Sequence, residues 1–312
     1  MTAMRMAIVD CGGELLFEKK VTGLETEGEK IKAVITSSGD RFSGNAVILA
    51  TGHSARDIFE LLAEKKIRIE SKPFALGVRV EHPQLIIDSA QYHCAVRDSY
   101  LPPAAYSWVQ QVESKGVFSF CMCPGGIIAP AATSPGELVV NGWSPSRRNN
   151  PFANSGIVVT VEEKDLVNSK MSGQSFLKHG PLALMRFQQS VEVKAFETGG
   201  GKFVAPAQRL VDFTAGKLSS SLPECSYLPG VTPASLQAVL PAFIYQRLQQ
   251  GFREAGKKIR GYFTNEAIVV ATESRTSSPV RIPRDEFTLQ HPQVKNLYPC
   301  GEGAGYAGGI VS

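Results

Sequence analysis

Three short stretches carry residue types that could do chemistry. Residues 298–312 read YPCGEGAGYAGGIVS, a short strand, a glycine-rich turn and the start of a helix. Glycines at 301, 303, 305, 308 and 309 remove side chains where a turn enters a helix, so backbone N–H groups and the helix dipole can face an anion. Glu302 sits on that turn, where a carboxylate can accept hydrogen bonds from sugar or polyol hydroxyls. Taken alone, the stretch also fits a tight strand-to-helix connection. Residues 46–57, AVILATGHSARD, place Thr51 and Gly52 at the carboxyl end of a buried strand, where ligands bind in open α/β sheets, with His53 able to donate a hydrogen bond. Two such strand ends in one chain are best explained by one shared ligand. In CMCPGG, Cys121 and Cys123 are two apart on a strand and therefore point to one face. They could form a redox pair, or pack as small apolar thiols. Pro124, Gly125 and Gly126 let backbone lie close to a ligand.

The stretch from Ser274 to Asp285 carries Arg275, Arg281 and Arg284 among several hydroxyls, a pattern suited to a carboxylate or phosphate and equally to a capped surface loop. Zinc is disfavoured, because no C-x-x-C pair with further ligands close in sequence occurs. His93, His179 and His291 have no partners at metal-ligand spacing. The chain lacks G-x-S-x-G, a P-loop and H-E-x-x-H, which argues against the common hydrolase, NTPase and metalloprotease chemistries.

The elements that must position these residues follow from patterning. Residues 2–11 read as amphipathic helix, with Met4, Ile8 and Cys11 on one face and Gly12–Gly13 as its stop. Two alternating runs predict a β-meander, and AVILATG predicts a buried parallel strand. Residues 54–66 predict a helix with Ser54 as N-cap and Asp57 at N3. From residue 72, FALGVRVEH, GVFSFCMCP, ELVVNGWSP and SGIVVTVEE predict four strands without regular helices between them, an antiparallel arrangement. Helices are expected over 181–197 and from Pro241 to about Ala255, with a flexible loop at TGGGKFVAPAQ. Strands resume after GYFTNEAIVVATESRTSSPVRIPRDEF, residues 261–287. The expected organisation is one part built from residues 1–71 and 266–312, with residues 72–265 inserted as a second domain. No internal repeat or low-complexity tract occurs.

Composition sets the class. The chain has 312 residues, 43% hydrophobic and 20% charged, with net charge +4, which predicts globular domains. The densest basic spots, Arg147–Arg148 and Lys257–Arg260, read as solvated surface, so nucleic acid is not indicated. No apolar run suits a membrane span and no secretory h-region opens the chain. A cytoplasmic protein is expected, and its six cysteines should all be thiols.

As a set, VILATGHSARD, SFCMCPGG, NGWSPSRRNN, ESRTSSPVRIPRD and LYPCGEGAGYAGGIVS resemble a family of bacterial uncharacterised FAD-dependent dehydrogenases, the NAD(FAD)-utilising dehydrogenases, from about residue 10 onward. The resemblance implies an α/β fold: a Rossmann-like, three-layer FAD-binding domain with an inserted antiparallel α+β domain. It implies a flavin-dependent oxidoreductase acting on an unspecified small molecule, with NAD(P)H as a candidate electron donor. Thr51, Gly52 and His53 would line the adenosine side, and Gly301 and Glu302 would approach ribose or ribityl hydroxyls. The turn through Gly303, Ala304, Gly305, Gly308 and Gly309 would meet the pyrophosphate and the flavin edge. Cys123, with Cys121, would stand near the reacting centre, and Arg275 and Arg281 would bind substrate. The family's opening G-x-G-x-x-G unit has no counterpart here, since the DCGGELL glycines are adjacent and lead into a strand. A truncated, incomplete FAD-binding domain is therefore expected, with AVILATG exposed and dimerisation as compensation. Two other readings stand beside it: a cofactor-free ligand- or partner-binding fragment, and a thiol redox protein using Cys121 and Cys123.

Overall fold

A computed structural model describes residues 2–168 and 173–306. Helix α1 (Thr2–Asp10) ends at Gly12, whose φ of 80° suits the glycine stop. It buries none of its side chains, so its expected apolar face has no partner among the described residues. β1 (Val21–Glu27), β2 (Lys30–Thr36) and β3 (Arg41–Ser43) form the antiparallel meander that the alternation predicts. β4 (Val47–Leu49) follows, then α2 (Arg56–Glu64), whose Ile58, Phe59 and Leu62 are buried. The expected Ser54 cap is not made. The N-cap is Ala55, without a side-chain bond, because the Ser54 hydroxyl faces Arg275 instead.

After the short β5 (Glu70–Ser71) the chain builds a large sheet. Its elements in order are β6 (Phe74–Pro83), α3 (Gln84–Tyr92), β7 (Val109–Val112), β8 (Lys115–Cys123), β9 (Ile127–Pro130), β10 (Val140–Trp143) and β11 (Phe152–Val161). Then come α4 (Glu163–Asn168), α5 (Gly173–Leu177), α6 (Ala183–Thr198), β12 (Ala205–Arg209), α7 (Leu210–Ala215), β13 (Val231–Pro233), α8 (Ala242–Lys258) and β14 (Ile268–Glu273). Seven strands pair in the order β13-β12-β14-β6-β11-β8-β7, antiparallel throughout except for β12 with β13. The fold is thus mixed α/β around a mostly antiparallel sheet. β9 and β10 form a separate ribbon that touches it. The chain closes its described part with β15 (Val280–Arg281) and β16 (Leu297–Pro299).

Four details differ from the sequence reading. Residues 205–208, the end of the expected loop, belong to β12, since the glycine run ends before Val204 and the next residues are buried. Residues 84–92, taken as loop, form α3 directly after Pro83. β14 lies beyond the expected boundary at residue 265, yet pairs with β6 and β12 inside the large sheet. Pro241 occupies the N-cap of α8, one position before the expected N1.

Apolar burial is organised around two clusters. The larger lies on the seven-stranded sheet and includes Leu76, Val78, Val80, Ile157, Val159, Leu248 and Phe252. The smaller joins Leu24, Ile31, Phe59, Leu62, Val280 and Leu297. α6 serves both: Leu184, Phe187 and Val191 enter the first, Met185 the second. No helix is long and apolar enough to cross a membrane among the described residues.

Candidate functional site

The two glycine stretches, far apart in sequence, meet in space. β4 and β16 are parallel neighbours, Val47 opposite Leu297 and Leu49 opposite Pro299, and the Cys300 N–H donates to the Leu49 carbonyl at 3.0 Å. Their carboxyl ends therefore release both loops side by side. Gly52 and Gly301 have φ of 78° and 71°, and a Cβ on either would meet open space. Gly303 is glycine for a different reason: a Cβ there would lie 2.5 Å from the Gly52 carbonyl oxygen. The loops pack backbone to backbone. Thr51 is exposed at the rim, and His53 Nδ1 stands 3.2 Å from Glu302 Oε2, so the two expected hydrogen-bonding residues face each other. Ala304 is buried, and Gly305 takes a φ of 85°. The Tyr306 ring is flanked by the guanidiniums of Arg281 at 5.0 Å and Arg284 at 4.0 Å. Arg281 thus stands beside this loop. Gly308 and Gly309 lie outside the described residues.

Arg275 does not serve as the anion-binding side chain that its position suggested. All five of its N–H groups are used: Nε to Glu192, Nη1 to Ser54 and Thr133, and Nη2 to Glu137 and Glu192. Arg56 reaches the same carboxylates, at 2.9 Å to Glu137 and 2.8 Å to Glu192. Two arginines and two glutamates, all nearly buried, make a neutral cluster that ties α2, α6 and the segment after β14 together. Burial alone would raise the Glu192 pKa, but the Arg275 hydrogen bond and the charges of both arginines outweigh it and hold it low. The anion for Arg275 is supplied by the protein itself.

The cysteine pair stands on an irregular strand. Asn154 of β11 pairs with Cys123 and Gly156 with Phe120, so β8 carries an extra residue between them. This is a β-bulge. Cys121 takes a φ of 45° there, and its sulfur lies 4.0 Å from that of Cys123. Cys121 is exposed and Cys123 buried. The Cys123 thiol and then the charge of Arg79 bring the Cys121 pKa down to about 5 against the opposing effect of burial. Cys123, as the donor of that bond and as a buried group, is pushed up.

Arg79 anchors this corner. Fully buried, it donates to Asn154 Oδ1 at 2.9 Å, to Asn141 Oδ1 and Glu273 Oε2 at 2.8 Å, and to the Cys121 carbonyl. Gly142 makes the room, since a Cβ there would sit 2.5 Å from the guanidinium carbon. Burial raises the Glu273 pKa to about 7, opposed by Arg79 and assisted by Cys121. Glu273, Ser274 and Arg275 are consecutive, so one three-residue stretch joins the thiol corner to the Arg275 cluster and, through Ser54, to the loop bearing His53.

Residues 73–276 match the family described as FAD-dependent protein, C-terminal domain-like. The chain belongs to that family. It is also similar to an uncharacterised protein of Clostridium beijerinckii, 39% identical over 313 residues, covering 99% of this chain and 56% of the relative. The chain thus spans about half the length of that curated relative. In this member of the FAD-dependent family the matched region holds the large sheet, the thiol corner and the Arg275 cluster apart from Arg56, whereas both glycine loops flank it.

Sequence reasoning missed Arg56, Arg79, Glu137, Glu192 and Glu273. A charged residue inside an otherwise apolar strand, as Arg79 is in FALGVRVEH, was the one available signal.

Proposed function

We propose that the chain forms part of an FAD-dependent oxidoreductase, contributing one wall of the cofactor site and the domain that stands over it. The observation that carries this reading is the meeting of the 51–53 and 301–305 loops at the ends of two adjacent parallel strands. Open space before Gly52 and Gly301 allows a ligand to approach bare backbone. His53 and Glu302 offer a donor and an acceptor suited to sugar hydroxyls. Membership in an FAD-dependent family supports the choice of ligand. A bound flavin would supply two-electron chemistry, and the chain's residues would bind, orient and shield it. NAD(P)H is proposed as electron donor, and a small organic molecule as substrate.

The test is flavin absorbance of the chain after incubation with FAD and gel filtration. It is made alongside a protein extended to the length of the Clostridium relative. Retained flavin in either, weakened about tenfold or more by pairing H53A with E302A, is expected. Absence of flavin from both would overturn the reading.

A further inference from the structure

In a regular strand, residues two apart are separated by about 6.6 Å along the chain, too far for their sulfurs to bond without rearrangement. The bulge in β8 changes this. With Cys121 in the left-handed region, the two sulfurs come to 4.0 Å, and the Cys123 thiol also points to the Cys121 carbonyl at 3.4 Å. Rotation about the side-chain bonds can bring them to the roughly 2 Å of a disulfide. The two thiols are also unequal. Cys121 is exposed to a reaction partner, while Cys123 is 6% exposed behind it. Arg79 holds the bulge by its bond to the Cys121 carbonyl and places a buried cation beside the exposed sulfur. Two glycines, at 142 and 156, leave space for Arg79 and Glu273.

We propose that Cys121 and Cys123 form a thiol–disulfide exchange pair, with Cys121 attacking a disulfide substrate and Cys123 resolving the intermediate. The Cys121 thiolate attacks one sulfur of the substrate disulfide; a new S–S bond forms, and the substrate bond breaks with its electron pair leaving on the other sulfur. Cys123 attacks the Cys121 sulfur and expels the second substrate thiolate; its proton passes to one departing thiolate, and water protonates the other. The products are the Cys121–Cys123 disulfide and a substrate dithiol, or two thiols, so two electrons pass from the protein to the substrate. The lowered pKa of Cys121 supports this division of labour, since the thiolate is the nucleophile. Arg79 acts as a positioning residue. The chemistry needs no flavin and does not rest on the flavin reading.

The test treats the reduced chain with oxidised glutathione at neutral pH and maps adducts by peptide mass spectrometry. Wild type is expected to accumulate the Cys121–Cys123 disulfide with no lasting glutathione on Cys121. Cys123→Ser should trap glutathione on Cys121, and Cys121→Ser should leave Cys123 unreacted. Exposed Cys11 and Cys300 are internal references, and Cys121 should react at least about tenfold faster than either. Equal rates at the three positions, or C123S without an adduct on Cys121, would overturn the proposal. If C123S fails to fold, the rate comparison within wild type decides alone. Flavin absorbance plays no part in these readouts.

Discussion

His82 is fully buried on β6, and its Nε2 lies 2.8 Å from the Tyr262 carbonyl oxygen, so Nε2 carries the proton and Nδ1 has no partner among the described residues. Burial lowers its pKa from 6.5 to about 4. Between those values the unfolded chain binds more protons than the folded one, so stability rises with pH through that window. It is fully present above 6.5 and lost as pH falls through about 4. The contribution is on the order of 3 kcal/mol. Urea unfolding at a series of pH values should show this fall, and H82Q, which can keep the bond to Tyr262, should flatten it. The glycine loops give a second residue-level expectation. G303A should displace Gly52, cost about 1–3 kcal/mol and impair both loops. G301A should show a similar cost from backbone strain alone and leave Gly52 in place. Thermal melts combined with FAD retention separate the two. That Gly52 and Gly301 sit in turns at strand ends was legible because glycine type and spacing encode local conformation. Arg79 was not, because its carboxylate partner lies 194 residues away.

At the level of elements, the Arg56, Glu137, Glu192 and Arg275 cluster holds α2 and α6 to the segment following β14. Removing one carboxylate leaves buried guanidinium charge without compensation, which costs about 3–5 kcal/mol. E192A should therefore lower the melting temperature far more than E60A, whose carboxylate pairs with half-buried Arg186 near the surface. Differential scanning calorimetry of the two variants checks this. β6, β8, β10 and β11 were readable from β-branched and aromatic runs, whereas the four-residue β7 and β9 were too short to stand out. β14 was not picked out, although its run of Ile268, Val269 and Val270 is β-branched, and nothing in its composition says which sheet it joins. Arg275 was misjudged because hydroxyl-rich sequence beside an arginine describes an anion site equally well whether the anion arrives from outside or is carried by Glu137 and Glu192.

At the scale of the whole molecule, the seven-stranded sheet is wide and buried on both faces of β6, where nine of ten residues are buried. The β4–β16 pair is two strands with short pairing, and Ile48 on it is 70% exposed. AVILATG, expected as a buried strand, is therefore buried only in part: Leu49 is covered and Ile48 is not. Hydrogen exchange should accordingly be slow in β6 and β11 and faster by orders of magnitude in β4 and β16. FAD should slow exchange at 47–53 and 297–305 if the flavin reading holds. That the β4 and β16 ends come together was suggested by one repeated pattern, a short apolar strand entering a glycine turn, while their direct pairing was not foreseen. The two halves of that pair are separated by about 250 residues. At ribosomal speeds of about 5–20 residues per second, β4 leaves the ribosome roughly ten to fifty seconds before its partner exists. For that interval the nascent chain carries an open strand edge with Ile48 uncovered, while the large sheet is assembled behind it. A chaperone has that interval in which to shield the edge, and a ligand that needs both loops can be captured only after the last of them has emerged.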